Sequence, residues 1–392
     1  MKALNQQTIK INQITYCHHT VYFDFPSLDL IDWIESQSIY PKFVWKNKKD
    51  GDLTLALGAL LTFNFCPEIE SIKELRIWGV KNFDPKEESF FFLPAIEIMG
   101  SKIFYHTLSP IQTPFPEALK RIKPINYKLD LSHRIDSPDK DGWLKLVEMA
   151  LHKISHQEIE KVVLSRCVSF DITNRQGEGF FLLKKLPQKD LTIYALSLKR
   201  DHCFIGATPE MLYERRGNKL MSEMIAGTHK DEMVLKSPHF FKEHSYVPLY
   251  IESIFSKICK RYAMSELNIL KLKHLCHLYQ KIEGELMSSI SDRDIISLLH
   301  PTPAIAGYPV DKALKIIHDH ETYERKWYSA PIGFIGNEQT ELAVAIRSIL
   351  IEDGKLYLFS GVGLVDSSCA EKEWEELELK ITSWLDAIEG FG

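Results

Sequence analysis

Two spacings of apolar residues divide this chain. Up to about residue 130, apolar positions alternate or gather in short runs broken by charged or glycine-bearing turns. Phe43, Val44 and Trp45, the turn at residues 49–52 and the apolar residues 53–57 predict a hairpin. Further strands are predicted at residues 72–83, 90–98 and 103–108. From Asp139 the spacing becomes helical. Trp143, Leu146, Val147, Ala150, Leu151 and Ile154 fall on one side of a helix over residues 142–155. A strand over residues 161–170 follows, and two more flank the loop at 206–210. A helix is predicted over 243–262, with Val247, Tyr250, Ile251, Ile254, Phe255 and Ile258 as its buried stripe. Strands return at 331–335, 343–352 and 355–359, the last two joined at Asp353-Gly354. A final helix presents Trp374, Leu377, Ile381, Trp384 and Leu385 to a core. Long strands joined by hairpins, with helices gathered elsewhere, indicate a layered α+β protein rather than a doubly wound one.

Composition narrows the classes. With 392 residues, 45% hydrophobic and 26% charged, the chain matches a soluble globular protein. Its length alone suggests roughly two or three domains. The net charge of -5 comes from 53 acids against 48 bases with no basic block, so nucleic acid is not an expected partner. Residues 1–13 are polar where a signal peptide would be apolar. The longest apolar run, residues 53–63, is about half of the ~20 residues a membrane span needs. Neither membrane nor export is therefore expected. Seven scattered cysteines without a CxxC fit reduced thiols and a cytoplasmic location. His274, Cys276 and His277 could suggest a soft metal, but their alternation fits a strand and no second cysteine cluster completes a zinc set. No GxGxxG or GxxxxGK[ST] supplies a phosphate-binding loop.

The candidate chemistry is carried by a few positions. In EWEELELK (373–380), Glu373, Glu376 and Lys380 stand at i, i+3 and i+7 and lie near one another on a helix. In an arbitrary helix, Glu376 and Lys380 would be a solvated ion pair. Lys161 opens KVVLSR and shares a strand face with Val163. It is either a snorkelling surface group or a buried amine whose lowered pKa makes it a base. Glu210 ends GATPE, as a solvated turn residue or as an acid held rigidly at a cleft. Glu243 is placed at a helix start, where the dipole favours a carboxylate in any case. With Glu376 it would make an all-oxygen Mg2+ site completed by waters and a substrate carboxylate. Ala226-Gly227-Thr228 and the HPTPA stretch ending at Ala304 are small-residue loops, suited to lining a pocket or to ordinary turns. Arg347 sits in an otherwise apolar run. There it requires an anion, either a substrate carboxylate or an ion-pair partner.

Together, KVVLSR, GATPE, AGT, KEH, HLYQ with EGEL, HPTPA, AVAIR, SGVG and EWEELELK occur in the order found in the chorismate-binding enzymes, which this chain resembles over residues 138–388. The family includes isochorismate, salicylate, anthranilate and aminodeoxychorismate synthases. The resemblance implies two stacked, mainly antiparallel sheets flanked by helices, and dependence on Mg2+. It also implies one large domain over residues 1–392. The strand-rich residues 1–137 would join the same body as the chorismate-binding core at 138–388, which replaces the two-or-three-domain expectation.

Carried over by motif, Lys161 would activate water and Glu210 would protonate the departing C4 hydroxyl of chorismate. Glu243 and Glu376 would ligate Mg2+, with Glu373 behind them. Arg347, Lys380 and backbone groups around Gly361 and Gly363 would hold the enolpyruvyl carboxylate. His277, Ala226, Gly227, Thr228 and Ala304 would lie against the substrate. Lys161 in place of glutamine, IAGT in place of PIKGT, and PAIAG in place of VTASG favour isochorismate synthase. EWEELELK points to the menaquinone branch rather than a siderophore branch. No glutamine amidotransferase subunit is expected, and the protein would be a monomer or weak dimer. Salicylate synthase and a chorismate-binding protein without turnover are the other outcomes. Two positions depart from the family pattern. Phe240 stands where an acid three residues before the metal glutamate is usual, which would loosen Mg2+. Ala330 stands where the family has a glycine that permits close backbone approach.

Overall fold

A computed structural model describes residues 2–11, 14–22, 30–49, 51–67, 75–107, 127–186, 189–272 and 275–389. His274, Asp50, Leu108 and the first residues of the strand expected at 72–83 lie outside the described residues.

The chain begins with β1 (Lys2–Ile11), β2 (Ile14–Tyr22), α1 (Leu30–Ser36), β3 (Lys42–Lys46), β4 (Leu53–Phe63), β5 (Arg76–Val80), β6 (Phe90–Met99), β7 (Lys102–Thr107) and β8 (Lys128–Ser137). Then follow α2 (Lys140–Ser155), β9 (Lys161–Gln176), a 3-10 turn (Phe180–Lys184), β10 (Thr192–Ser197), β11 (Cys203–Thr208), β12 (Met211–Arg216) and β13 (Lys219–His229). Next come α3 (Glu232–Leu235), α4 (Pro238–Ile258), β14 (Cys259–Met264), β15 (Asn268–Lys271), β16 (Cys276–Leu286), α5 (Asp292–Leu299), β17 (Gly307–Tyr308) and α6 (Val310–His320). The last elements are β18 (Pro331–Gly336), β19 (Gln339–Val344), β20 (Ser348–Glu352), β21 (Lys355–Leu364) and α7 (Ala370–Glu389).

Two antiparallel ranks share β6. One runs β1-β2-β7-β6-β4-β3-β10-β11-β20-β21-β9-β8. The other leaves β6 through β5-β18-β19-β12-β13-β16, with β14 and β15 on the far edge of β16. β6 serves both because Phe90–Phe92 pair with β5 while Ile96–Met99 pair with β7. Strands from the first 137 residues thus pair directly with later ones, β3 with β10 and β5 with β18.

Period-two alternation sends one set of side chains between the ranks: Phe43, Trp45, Phe204 and Phe359 from the first meet Trp78, Phe334 and Ala343 from the second. Opposite faces are covered by helices. α2, α4, α5, α6 and the start of α7 pack on Val162, Leu164, Leu342 and Val362. α1, the 3-10 turn and the end of α7 pack on β3, β10, β11 and β20. Fully buried Leu377 and Ile381 dock α7, each burial contributing roughly 1.5–3 kcal/mol. The architecture is the expected α+β one: two stacked, mainly antiparallel sheets flanked by helices.

Three local expectations change. The helix placed at 243–262 begins at Pro238 and ends at Ile258, after which Cys259–Met264 become a strand on β16. Ser237 and a proline in the first turn start that helix early, so Glu243 sits in its second turn and owes little to the dipole. The single strand expected at 343–352 is broken between Val344 and Ser348, with Arg347 in the break at φ 50°. β21 continues past residue 359 to Leu364, because its far half keeps pairing with β9 through Leu364↔Val162.

Candidate active site

The site lies where β9, β13, β16, β21, α4 and α7 converge. Of the residues expected there, Glu210, Ala226, Gly227, Thr228, Glu243, His277, Ala304, Arg347, Gly361, Gly363, Glu376 and Lys380 all line one pocket. Residues up to 170 positions apart in sequence meet there, because each strand or helix end opens on the same cleft. Lys161 and Glu373 stand just behind that lining.

Lys161 is wholly buried at the start of β9, and its Nζ donates to the Glu243 carbonyl at 3.2 Å with Glu243 Oε1 at 3.8 Å. Burial lowers its pKa, against the attraction of Glu243 and Glu210. The surface reading of this lysine is therefore excluded. Gly363 leaves the space for this contact: a Cβ there would fall 2.8 Å from Lys161 Cε and closer still to Glu243 Oε1.

Glu210 occupies the two-residue turn between β11 and β12 and is 2% exposed. Its backbone is held by Val344 N–H on its carbonyl (3.0 Å) and by Thr208 Oγ1 on its N–H (3.2 Å), while its Oε1 has no hydrogen-bond partner. Burial, reinforced by Glu223, pushes its carboxyl up to about 8. It is a neutral acid at neutral pH.

The third group is acidic. Burial and the nearby Glu376 raise the pKa of Glu243, against Lys161. Burial, then Glu376 and Glu243, push Glu373 up to about 8. On α7 the Glu376–Lys380 pair is present at 2.7 Å, but it is no idle surface pair, since Lys380 Nζ also donates to the Gly361 carbonyl at 2.8 Å. Among the described residues, no three His, Cys, Asp or Glu side chains form a ready-made metal cage. A buried cluster of carboxylates whose charges oppose one another nevertheless fits a hard cation such as Mg2+, which takes one or two protein carboxylates and fills its shell with water and substrate oxygens.

Beside Glu243, whose carboxylate accepts a hydrogen bond from the Gly227 backbone, a β-bulge in β13 at Gly227 (φ 80°) shifts the register so that Thr228 meets His277 on β16. Arg347 Nη2 donates to His277 Nε2 at 2.5 Å, which leaves the Nδ1 proton of His277 to reach Thr228 Oγ1 at 2.9 Å. Burial, with Arg347 and Lys380, holds the imidazole well below its usual range and therefore neutral. Burial brings the Arg347 guanidinium down to about 10, so it remains a cation at neutral pH. It meets an imidazole rather than a carboxylate among the described residues. With no carboxylate partner among the described residues, it is a half-buried cation facing the pocket.

Several lining residues were not singled out from the sequence. Tyr328 stacks on Phe359 with centroids 5.2 Å apart and forms part of the wall with Ile346 and Trp384. Trp384 was legible only as one apolar position of α7. Glu223 and Lys48, which form a 2.6 Å ion pair beside Glu210, were not foreseen. The signal for Glu223 is a lone acid in the apolar run around residues 220–226, and Lys48 gives none. The two departures have structural answers. Phe240 fills a small apolar cluster with Leu235 and Leu278 and packs on Gly227. Ala330 is fully buried between the ranks, and the positive φ falls on its neighbour Ser329 (φ 63°).

A family model described as Chorismate binding enzyme matches residues 115–389. The chain is 28% identical over 390 residues to the isochorismate synthase MenF of Escherichia coli (strain K12), covering 90% of this chain and 89% of that protein. It is 36% identical over 268 residues to MenF of Bacillus subtilis (strain 168), covering 64% of this chain and 56% of that protein. Among solved structures, MenF, the menaquinone-specific isochorismate synthase of Escherichia coli, superposes with a TM-score of 0.84 at 26% identity over 95% of this chain and 94% of that one. Anthranilate synthase component I of Streptococcus pneumoniae TIGR4 shares the fold at a TM-score of 0.65 and 17% identity, over 94% of this chain and 92% of that one.

Proposed function

This chain belongs to the chorismate-binding enzymes, and from that premise we propose that it is an isochorismate synthase that moves a hydroxyl group from C4 to C2 of chorismate. One observation carries the reading: two buried titratable groups at one pocket are pushed in opposite directions, Lys161 toward a neutral amine and Glu210 toward a neutral acid. That is the protonation state a base and an acid need before turnover. Likeness to MenF over nearly the whole chain supports it.

In this reading Lys161 Nζ takes a proton from water as the water oxygen bonds to C2. The ring double bonds shift, the C4–O bond breaks, and Glu210 delivers its proton to the departing oxygen. One water enters and one leaves, so the product is an isomer of the substrate. Arg347 and Lys380 bind the enolpyruvyl carboxylate, and neutral His277 keeps the Arg347 fork aimed. Tyr328, Ile346 and Trp384 exclude bulk water from the ring. Glu243 and Glu376 would hold Mg2+, which would neutralise the ring carboxylate, with Glu373 ordering the water around it.

Likeness to the menaquinone-specific enzyme of Escherichia coli supports a place in menaquinone synthesis. All seven cysteines are free thiols, and among the described residues no helix is long and apolar enough to cross a membrane. The free thiols support a cytoplasmic reaction. The test is to supply purified protein with chorismate and Mg2+ and resolve the products by chromatography. Isochorismate is expected. Salicylate with pyruvate, or unchanged chorismate, would overturn the reading.

A further inference from the structure

Glu210 is flanked by an ion pair that belongs to neither the base, the carboxylate cluster nor the substrate-binding cations. Lys48 lies in the turn after β3, in the part of the chain outside the family-model match, and its Nζ donates to the carbonyl of Pro209 at 2.5 Å. The same Nζ meets Glu223 Oε2 at 2.6 Å. That oxygen in turn accepts the N–H of Met211 at 2.9 Å. The residue before Glu210 is held by the cation and the residue after it by the anion. Glu223 is buried and Lys48 largely so, 3% and 11% exposed, and Tyr279 on β16 fixes the other Glu223 oxygen at 3.2 Å.

We propose that Lys48 and Glu223 are a positioning pair for the acid at residue 210, gripping its turn from both sides and setting the charge it faces. The inference rests on the reading of Glu210 as the proton donor. A two-residue turn between strands has few ways to orient a side chain whose own Oε1 is unbonded. Hydrogen bonds to the flanking peptide groups supply that orientation. The charged groups facing Glu210 are Glu223 on β13, Lys161 on β9 and Lys48 in the β3–β4 turn. Lys161 is itself tied to Glu243 on α4. The carboxylate of Glu223 favours the protonated acid and Lys48 opposes it. Because the pair is nearly isolated from water, removing either partner exposes Glu210 to the full charge of the other.

The two members therefore push the same group in opposite directions, which a merely structural pair would not do. The experiment is the pH dependence of kcat/KM with chorismate and Mg2+ for the parent, Glu223→Gln, Lys48→Met and the conservative Lys48→Arg. The parent should lose activity at high pH as Glu210 ionises, near 8. Glu223→Gln should move that limb down and Lys48→Met should move it up, each by about one pH unit or more, a tenfold change in proton affinity. Lys48→Arg should leave it close to the parent. Limbs that stay in place, or that move in the same direction, in proteins whose circular dichroism matches the parent overturn the inference. If Glu223→Gln does not fold, the Lys48→Met limb decides alone, upward for the pair and unmoved against it. A parent that makes no isochorismate defeats instead the reading on which the inference stands, so the two failures are told apart.

Discussion

Lys161 Nζ lies 3.2 Å from the Glu243 carbonyl oxygen and 3.8 Å from its Oε1, so the proposed base and a proposed metal ligand share one buried contact. A charged lysine there would pair with the carboxylate that the cation needs. Burial lowers the amine's pKa, which works against that pairing. Lys161→Ala should lose roughly a hundredfold or more in kcat, the usual scale for a positioned base, with chorismate binding largely kept. Lys161→Gln should not restore turnover, since an amide cannot take the proton. Steady-state kinetics with a separate binding measurement checks both variants, and near-parent activity of Lys161→Ala would remove it from the chemistry.

Gly363→Ala tests the same contact from the opposite side. Its Cβ would press on Lys161 Cε at 2.8 Å and on the Glu243 carboxylate. Activity should fall at least tenfold while the melting temperature changes little, because the displaced groups border a pocket and can shift into it. A variant with parental kinetics would mean that the two side chains are looser than their spacing indicates.

Glu243→Gln and Glu376→Gln should each abolish turnover and weaken Mg2+ binding measured by calorimetry, with the fold intact. Each amide removes one of the few charges that a hard cation can use. Calorimetric Mg2+ affinity equal to the parent's in either variant would take that residue out of the metal site.

Glu210 gives stability a pH dependence of known sign. Its folded pKa is raised from the usual 4.5 to about 8, mainly by burial. Its contribution is therefore fully present below 4.5 and is lost as pH rises toward 8, where burying the acid must either keep its proton or strand a charge. Thermal melts of Glu210→Gln should decline less across this window than those of the parent. Parallel curves would place the Glu210 pKa close to its ordinary value.

Phe240→Asp should destabilise the protein by about 3–5 kcal/mol, the scale for truncating a buried aromatic, with a further cost for a buried carboxylate. The ring packs with Leu235 and Leu278 and against Gly227. An acid here would still be expected to tighten Mg2+, but in this chain it would have to replace a ring that fills the position by packing. Denaturant unfolding checks the stability, and a gain in Mg2+ affinity without loss of stability would mean that the packing of the ring is dispensable.

Alternation and helical spacing determined most of the elements on their own, because burying one face is a local requirement that the pattern of residues 42–63, 90–107 and 331–364 spells out. The motif residues were legible for the same reason, since a buried lysine, a turn glutamate and an arginine in an apolar run are each costly without a purpose. The sequence pattern left three things to tertiary structure. It placed Glu243 at a helix start, overlooking the Ser237-Pro238 start that puts it in the second turn, and only the packing of α4 brings it beside Lys161 on β9. It read residues 343–352 as one strand, whereas the break at Arg347 follows from β19 and β20 belonging to different ranks, paired with β12 and β11. It gave no sign of Lys48, whose relation to Glu223 is 175 residues long and joins the two ranks, β3 lying in the rank of β11 and Glu223 on β13 beside β12. Local patterning selects elements through burial, but distances between charges are decided by which strands pair.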